Sequence, residues 1–307
     1  MPSPLPKIVA VVGPTASGKT ALAVEIARAV GGEVISCDSR QVYRGLDIGS
    51  GKVTRKEARS IPHHLLDVAS PARAFSVARY ERLALRAAHD IARRGKVPIL
   101  CGGTGQYADA LMFGANFPNV PPNLKLRREL AALSTEEMFA RLESLDPERA
   151  ESVDSRNRPR LERAIEIASA LGAVPKTPPP VARFEALWIG TSLPKPELHE
   201  RIGRRLDARL RAGMVAEAKR LRADGLPWKR FEALGLEYRA LGRHLRGELD
   251  RPAMRDSLFA EIKRYAKRQM TWFRRNEKIR WLAPDRSGEA IRLAARFLSD
   301  ENLDDGR

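Results

Sequence analysis

Ile8-Val9-Ala10-Val11-Val12-Gly13-Pro14-Thr15-Ala16-Ser17-Gly18-Lys19-Thr20 decides how the rest of the 307-residue chain is read. Residues 8–12 form a continuous apolar run closed by Gly13, the pattern of a strand buried on both faces of a parallel sheet. Residues 13–20 keep the G-x-x-x-x-G-K-[ST] spacing, and residues 21–30 read as a helix stopped by Gly31-Gly32. Strand, glycine-rich turn and helix in that order give the spacing its physical meaning. The glycines let backbone N–H groups converge on a phosphate at a helix N-terminus, Lys19 adds a point charge, and the Thr20 hydroxyl can ligate magnesium. Such a loop specifies a diphosphate or triphosphate and leaves the reaction open.

Outward from this loop, residues 34–37 read as a second short buried strand that delivers Asp38 at its carboxyl end, completing a βαβ unit. Ligands of open α/β folds bind at that edge. Asp38 is therefore a candidate base, a candidate magnesium ligand, or simply the cap of the next turn through Ser39. Residues 77–94 have helical apolar spacing, and residues 97–101 form another buried strand running into Gly102-Gly103-Thr104-Gly105. That turn either offers N–H groups and a hydroxyl to a substrate or is a plain strand-to-helix connection.

The texture changes near Phe117. Pro118, Pro121 and Pro122 break the chain, helices dominate, and no strand-like run appears before Ala186. Residues 160–171 set Leu161, Ala164, Ile165, Ala168 and Leu171 on one helical face before the Pro178-Pro179-Pro180 run. Beyond it come a strand around residues 187–189, helices over 198–212 and 258–274, and a late strand at 279–282. The fold expected is α/β, a P-loop NTPase or kinase-like parallel-sheet core with an inserted all-helical subdomain. Residues 1–116 form the first part of the core, 117–182 the insertion, and 183–307 the second part with its C-terminal helices.

Lys and Arg total 55 against 38 Asp and Glu, a formal charge of +17 with a pI near 10.4. That excess suits a polyanionic partner or a well-solvated surface, so its placement has to decide. Cys37 and Cys101 are too few for a disulfide framework or a four-ligand zinc site, and both lie in apolar runs. A reducing cytoplasm is the expected compartment. No secretory pattern opens the chain and no stretch has the apolar length to span a bilayer.

The phosphate loop GPTASGKT (13–20), the segment DSRQVYRGLDIG (38–49) and PHHLLD (62–67) resemble the tRNA dimethylallyltransferase, or isopentenyl-tRNA transferase, family. Gly102-Gly103-Thr104-Gly105-Gln106-Tyr107, RLERAIE (160–166) and YAKRQMTWFR (265–274) extend the similarity across nearly the whole chain. The resemblance implies a reaction. The N6 amine of the adenosine just 3′ of the anticodon, position 37, attacks the allylic carbon of dimethylallyl diphosphate, and diphosphate leaves.

It also implies roles. Asp38 takes the N6 proton, Arg205 contacts the diphosphate with Arg201 one turn earlier, and Thr20 binds Mg2+ within the loop Gly13, Pro14, Thr15, Ala16, Ser17, Gly18, Lys19 and Thr20. An exocyclic amine is a poor nucleophile, so a carboxylate at its proton and a cation at the leaving group divide the labour sensibly. Asp38, Ser39, Arg40, Gln41 and Thr104 would meet the tRNA anticodon stem-loop. So would Arg127 and the stretch Pro159, Arg160, Leu161, Glu162 and Arg163 in the insertion. A base in a loop must leave its stack to be modified, and Arg156, Arg158, Arg160 and Arg163 supply a basic cluster near by. On residues 198–212 alone, Ile202, Leu206 and Leu210 form an apolar line and Arg201, Arg205 and Arg209 a separate basic one.

Two stretches depart from the family pattern. Ser50-Gly51-Lys52-Val53 stands where Thr-Ala-Lys-Pro is expected, and Leu234-Gly235-Leu236-Glu237-Tyr238-Arg239 lacks the usual Gly-Tyr pair. Two cysteines exclude the C-terminal zinc finger of some relatives. The rival readings are a small-molecule or nucleoside kinase with Asp38 as base, an adenine-nucleotide prenyltransferase, and an RNA-binding ATPase. None accounts for both the basic surplus and residues 265–274. The chain is expected to act as a monomer, independent of ATP and of membranes.

Overall fold

A computed structural model describes residues 5–114, 118, 120–176 and 179–299. The texture change at Phe117, Pro178, the leader before Leu5 and the acidic tail beyond Ser299 lie outside these residues. The described residues divide into two compact units, one from residues 1–115 and 181–307, the other from 116–180.

The first unit holds one six-stranded sheet, formed by β1 (Lys7–Val12), β2 (Gly32–Cys37), β3 (His63–His64), β4 (Val97–Gly102), β5 (Glu185–Thr191) and β6 (Ile279–Leu282). Its order is β3-β2-β4-β1-β5-β6, and every pairing is parallel. Helices α1 (Lys19–Val30), α2 (Arg55–Ala58), α3 (Val77–Arg93) and α4 (Gly105–Phe113) accompany the first four strands. The second unit consists of α5 (Leu124–Ala131), α6 (Thr135–Leu145), α7 (Pro147–Ser152) and α8 (Arg158–Leu171). Back in the first unit follow α9 (Lys195–Arg211), α10 (Met214–Ala223), α11 (Trp228–Glu232), α12 (Leu236–Leu245), α13 (Arg251–Phe273) and α14 (Ser287–Leu298). No helix among the described residues is long and apolar enough to cross a membrane.

The apolar run that opens the chain is buried because both faces of β1 are covered. Val9 and Val11 pack with Leu22, Ile26 and Phe297, whereas Ile8, Ala10 and Val12 pack with Tyr80, Ala84 and Leu111. Alternation of side chains along a strand makes this division, and each fully buried Leu or Ile contributes about 1.5–3 kcal/mol. Gly31 ends α1 at φ 66°, while Gly32, expected in the same stop, opens β2. A Cβ there would sit 2.8 Å from the Val97 carbonyl. Two helices begin earlier than their apolar spacing shows. Pro194 precedes α9 with a second proline in its first turn, and Asp250 caps α13 through the Ala253 amide. Polar first turns carry no apolar periodicity, so capping residues set these starts. β3, two residues long, was not expected at all. The two thiols fall on opposite faces of the sheet, Cys37 beside Tyr80 and Leu100 and Cys101 beside Leu22 and Ile99.

In the second unit Leu130, Met138, Leu142, Leu161 and Ile165 form the core. Leu171, expected on that apolar face, is 53% exposed, because α8 ends there at Gly172. Glu166, 2% exposed, accepts from the Asn123 amide at 2.9 Å and from Arg127 at 2.6 and 2.8 Å.

Candidate active site at the carboxyl ends of the strands

β1 ends at Val12 and the phosphate loop turns immediately. Gly13 has φ 149°, and a Cβ there would lie 2.6 Å from the Thr191 carbonyl at the end of β5; only glycine lets the loop approach so closely. Ala16 takes the left-handed conformation, φ 63°, an unfavourable one for a residue with a Cβ. The loop is braced from inside. The Ser17 hydroxyl donates to the Pro14 carbonyl at 2.8 Å and bonds the Thr191 hydroxyl at 2.5 Å. Lys19 Nζ donates to the Pro14 carbonyl at 3.0 Å, and desolvation lowers its pKa from the usual lysine value. α1 starts from Gly18 with no side-chain cap, so its first-turn N–H groups face the loop as an anion site.

At the end of β2, Asp38 Oδ1 accepts the Arg40 amide at 2.8 Å and the Gln41 amide at 3.3 Å. The carboxylate therefore caps its own turn with one oxygen and leaves Oδ2 outside that turn. The next amide, that of Ser39, donates to Thr104 Oγ1 at 3.1 Å. Thr104 thus ties the β4 turn to the β2 turn. Burial raises the pKa of the Tyr265 phenol, which also lines the cavity.

Arg205 reaches across from α9. Its guanidinium donates to the Gly51 carbonyl at 2.9 Å and to Thr15 Oγ1 at 3.3 Å. Solvent reaches its side chain, yet desolvation by the surrounding protein first, and the charge of Arg209 second, lower its pKa. Arg209 in turn holds the carbonyls of Ile48, at 2.7 Å, and Gly49. The amides of the same strip are taken by Glu217 of α10, which accepts from Asp47 at 2.8 Å, Ile48 at 2.7 Å and Gly49 at 2.8 Å. Tyr238 of α12 donates its hydroxyl to Glu217 at 2.8 Å. Lys52, 8% exposed, closes the segment on the Tyr43 carbonyl at 3.0 Å and on Asp47 and Asp67 at 2.6 and 2.5 Å. The Ser50–Val53 departure thus keeps its lysine as a buried clamp.

These elements surround a cavity of about 290 Å³, close to the lower end of small-ligand sites. The phosphate loop contributes Thr15, Lys19 and Thr20; the β2 exit contributes Asp38, Ser39, Arg40 and Gln41; α9 contributes Arg205 and Arg209. Six cationic side chains line it against three acidic ones. Arg201 lies elsewhere, paired with Glu197 at 2.9 Å one turn before Arg205. Gly13, Pro14, Ala16, Ser17 and Gly18 shape the loop from behind the lining.

Several lining residues had been given no place in the site by the sequence: Arg209 of the α9 basic line, Glu237 and Arg239 of the 234–239 departure, Arg268 and Gln269 of the 265–274 block, and His63. His63 bonds the Ile61 carbonyl through Nδ1 at 2.9 Å, desolvation lowers its pKa, and its buried Nε2 has no partner among the described residues. The PHHLLD signal contained it without assigning it a place.

In the second unit the residues expected at the RNA divide by contact. Leu161 is fully buried in the core, so its side chain packs and does not present itself. Arg127 is bound to Glu166, and Arg163 donates to the Val120 carbonyl at 2.8 Å. Pro159 and Arg160 are exposed and Glu162 is partly so.

A phosphate loop after the central strand, facing a cationic cavity that also holds a carboxylate, defines a P-loop α/β protein with an anion site and a candidate base side by side. The IPP transferase family profile matches residues 41–276. Among curated relatives, tRNA dimethylallyltransferase 2 of Trichlorobacter lovleyi is 45% identical over 97% of this chain and 98% of its own length. Among solved structures, a full-length tRNA isopentenylpyrophosphate transferase from Bacillus halodurans superposes with TM-score 0.74 at 34% identity, covering 96% of this chain and 97% of the other. A eukaryotic dimethylallyltransferase shares the fold with TM-score 0.84 at 23% identity, covering 98% and 82% of the two chains. The chain belongs to the IPP transferase family.

Proposed function

We propose that this protein transfers a dimethylallyl group from dimethylallyl diphosphate to N6 of adenosine 37, next to the anticodon of tRNA, releasing diphosphate. The observation that carries the reading is the convergence of Lys19, Thr20, Asp38 and Arg205 on one cavity. The relatives named above bear the names of tRNA prenyltransferases, in agreement with it.

In this reading the diphosphate lies on the phosphate loop, against Lys19, the first amides of α1 and Arg205. N6 of the adenine forms a bond to the allylic carbon as the carbon–oxygen bond breaks. The proton passes to Asp38, whose Oδ1 is already held by two amides. Charge develops on the leaving oxygen where the cations already stand, so little reorganisation is needed. The Thr20 hydroxyl, with phosphate oxygens of the donor, offers the hard oxygen donors that suit Mg2+. Held by Thr20, such an ion would neutralise diphosphate charge. Arg40, Gln41, Thr104, Arg239 and Arg268 would receive the flipped adenosine and its flanking phosphates. The reading also has the protein act as a monomer in the cytoplasm.

Label from radioactive dimethylallyl diphosphate should appear on unmodified tRNA, fail to appear on AMP, and be lost in Asp38→Ala. Transfer to AMP but not tRNA would make the chain a nucleotide prenyltransferase; stimulation by ATP would favour the kinase reading, in which Asp38 deprotonates a hydroxyl.

A further inference from the structure

Apart from Arg268, the segment YAKRQMTWFR (265–274) has no role in the chemistry just described, yet it is where α13 meets the cavity. Tyr265, Gln269 and Trp272 lie at i, i+4 and i+7 on one face of that helix. Trp272 packs on Gly105, where a Cβ would be 2.1 Å from its ring, and donates Nε1–H to Asp109 at 3.0 Å.

Gln269 makes the decisive contact. It is 5% exposed; its Oε1 accepts the Thr15 amide at 2.9 Å, and its Nε2 donates to the Gly103 carbonyl at 2.8 Å. A backbone N–H must meet oxygen and a carbonyl must meet nitrogen, so the side-chain amide has one orientation that satisfies both. A Cβ at position 103 would lie 2.1 Å from Nε2. Glycine there admits the amide, whereas the preceding Gly102 is required by the Cys37 carbonyl, 2.1 Å from where its Cβ would lie.

We infer that Gln269 is a positioning residue for prenyl transfer, setting the spacing between the phosphate loop that holds the donor and the turn that holds the acceptor side. The inference rests on the transfer reading above. On the donor side Thr15 also receives Arg205. On the acceptor side Gly103 adjoins Thr104, which holds the Ser39 amide next to Asp38. Arg205, Thr15, Gln269, Gly103, Thr104, Ser39 and Asp38 therefore form one continuous path from leaving-group cation to base. Gln269 is the side chain that bridges its two halves. Each half can persist without it, but their separation then varies, and displacement of reacting groups by about 1 Å costs about 100-fold in rate.

The test is single-turnover transfer to tRNA by wild type, Gln269→Leu and Gln269→Glu, with melting temperatures measured alongside. For Gln269→Leu the transfer constant should fall about 100-fold while the KM for each substrate stays within about threefold. A variant with a lower melting temperature but an unchanged constant per folded molecule overturns the inference, as does a loss that appears wholly in one KM.

Should Gln269→Leu fail to fold, Gln269→Glu decides. A protonated carboxyl presents the same acceptor and donor pair as the amide, whereas a carboxylate faces the Gly103 carbonyl with no proton. The variant should therefore fall below wild type wherever its carboxyl is ionised and approach it where the carboxyl is protonated; a ratio near one from about pH 5 to about pH 9 overturns the inference. Wild type that transfers nothing to tRNA refutes the function itself, a different result from active wild type with indifferent Gln269 variants.

Discussion

Replacing Glu217 by Leu should destabilise the first unit more than any single loss of an apolar contact near the cavity. Glu217 is 2% exposed and satisfies four donors, the amides of residues 47, 48 and 49 and the Tyr238 hydroxyl. Leucine keeps the volume and removes every acceptor. A buried donor left without a partner costs about 1–3 kcal/mol, so four cost at least about 4 kcal/mol if the strip stays buried. That is a large share of the roughly 5–15 kcal/mol that holds a typical folded protein. Tyr238→Phe removes one donor and leaves the carboxylate its three amides, so it should cost about 1 kcal/mol. Urea unfolding followed by the fluorescence of the four tryptophans gives both values. A Glu217→Leu loss no greater than that of Tyr238→Phe would refute the account of the strip as a carboxylate-held nest. Gly49→Ala offers a check from the other side, because its Cβ would fall 2.3 Å from the Tyr238 hydroxyl.

Arg205→Gln should lower the transfer constant by about 100- to 1,000-fold, as removal of one preorganised donor does elsewhere, while the donor KM rises; an unchanged constant in rapid-quench assays would remove Arg205 from the chemistry. Hydrogen bonding by Arg94, against the cost of burial and with help from His64, holds Glu33 down at about 2. Its folded pKa lies below its unfolded value, so its stabilisation is complete above about pH 4.5 and lost as pH falls toward about 2. Urea midpoints across that window should fall more steeply for wild type than for Glu33→Gln, and parallel curves would contradict this. Binding of tRNA should weaken with salt at a log–log slope of about −0.7 to −0.9 per phosphate contacted; filter binding at several ionic strengths would expose a slope near zero, which would dismiss the cationic lining as a docking surface.

The parts legible in the sequence were those whose partners are close along the chain. β1, the phosphate loop and α1 follow from a run buried on both faces and a fixed glycine spacing, and Asp38 follows from its place after β2. The i, i+4 line of α9 contains Arg201, Arg205 and Arg209 alike. Which turns face the cavity depends on carbonyls at 48 to 51, about 150 residues earlier in the chain. The roles of Glu217 and Gln269 were hidden for the same reason: each is one polar residue in a helix, and its meaning lies in backbone groups 168 to 170 and 166 to 254 positions away. β3 is too short to show any period. Leu161 misled by sitting within a basic stretch while its side chain pointed into the core.

The two thiols on opposite faces of the sheet give this protein a practical property. Burial pushes Cys101 up to about 11 and Cys37 higher still. At pH 7 the reactive thiolate of Cys101 is then about one part in ten thousand, and alkylating dyes attack the thiolate. A cysteine introduced at an exposed position such as Arg160 would be the single readily labelled thiol in the chain. Fluorophores and spin probes can thus be installed one at a time without first removing either native cysteine.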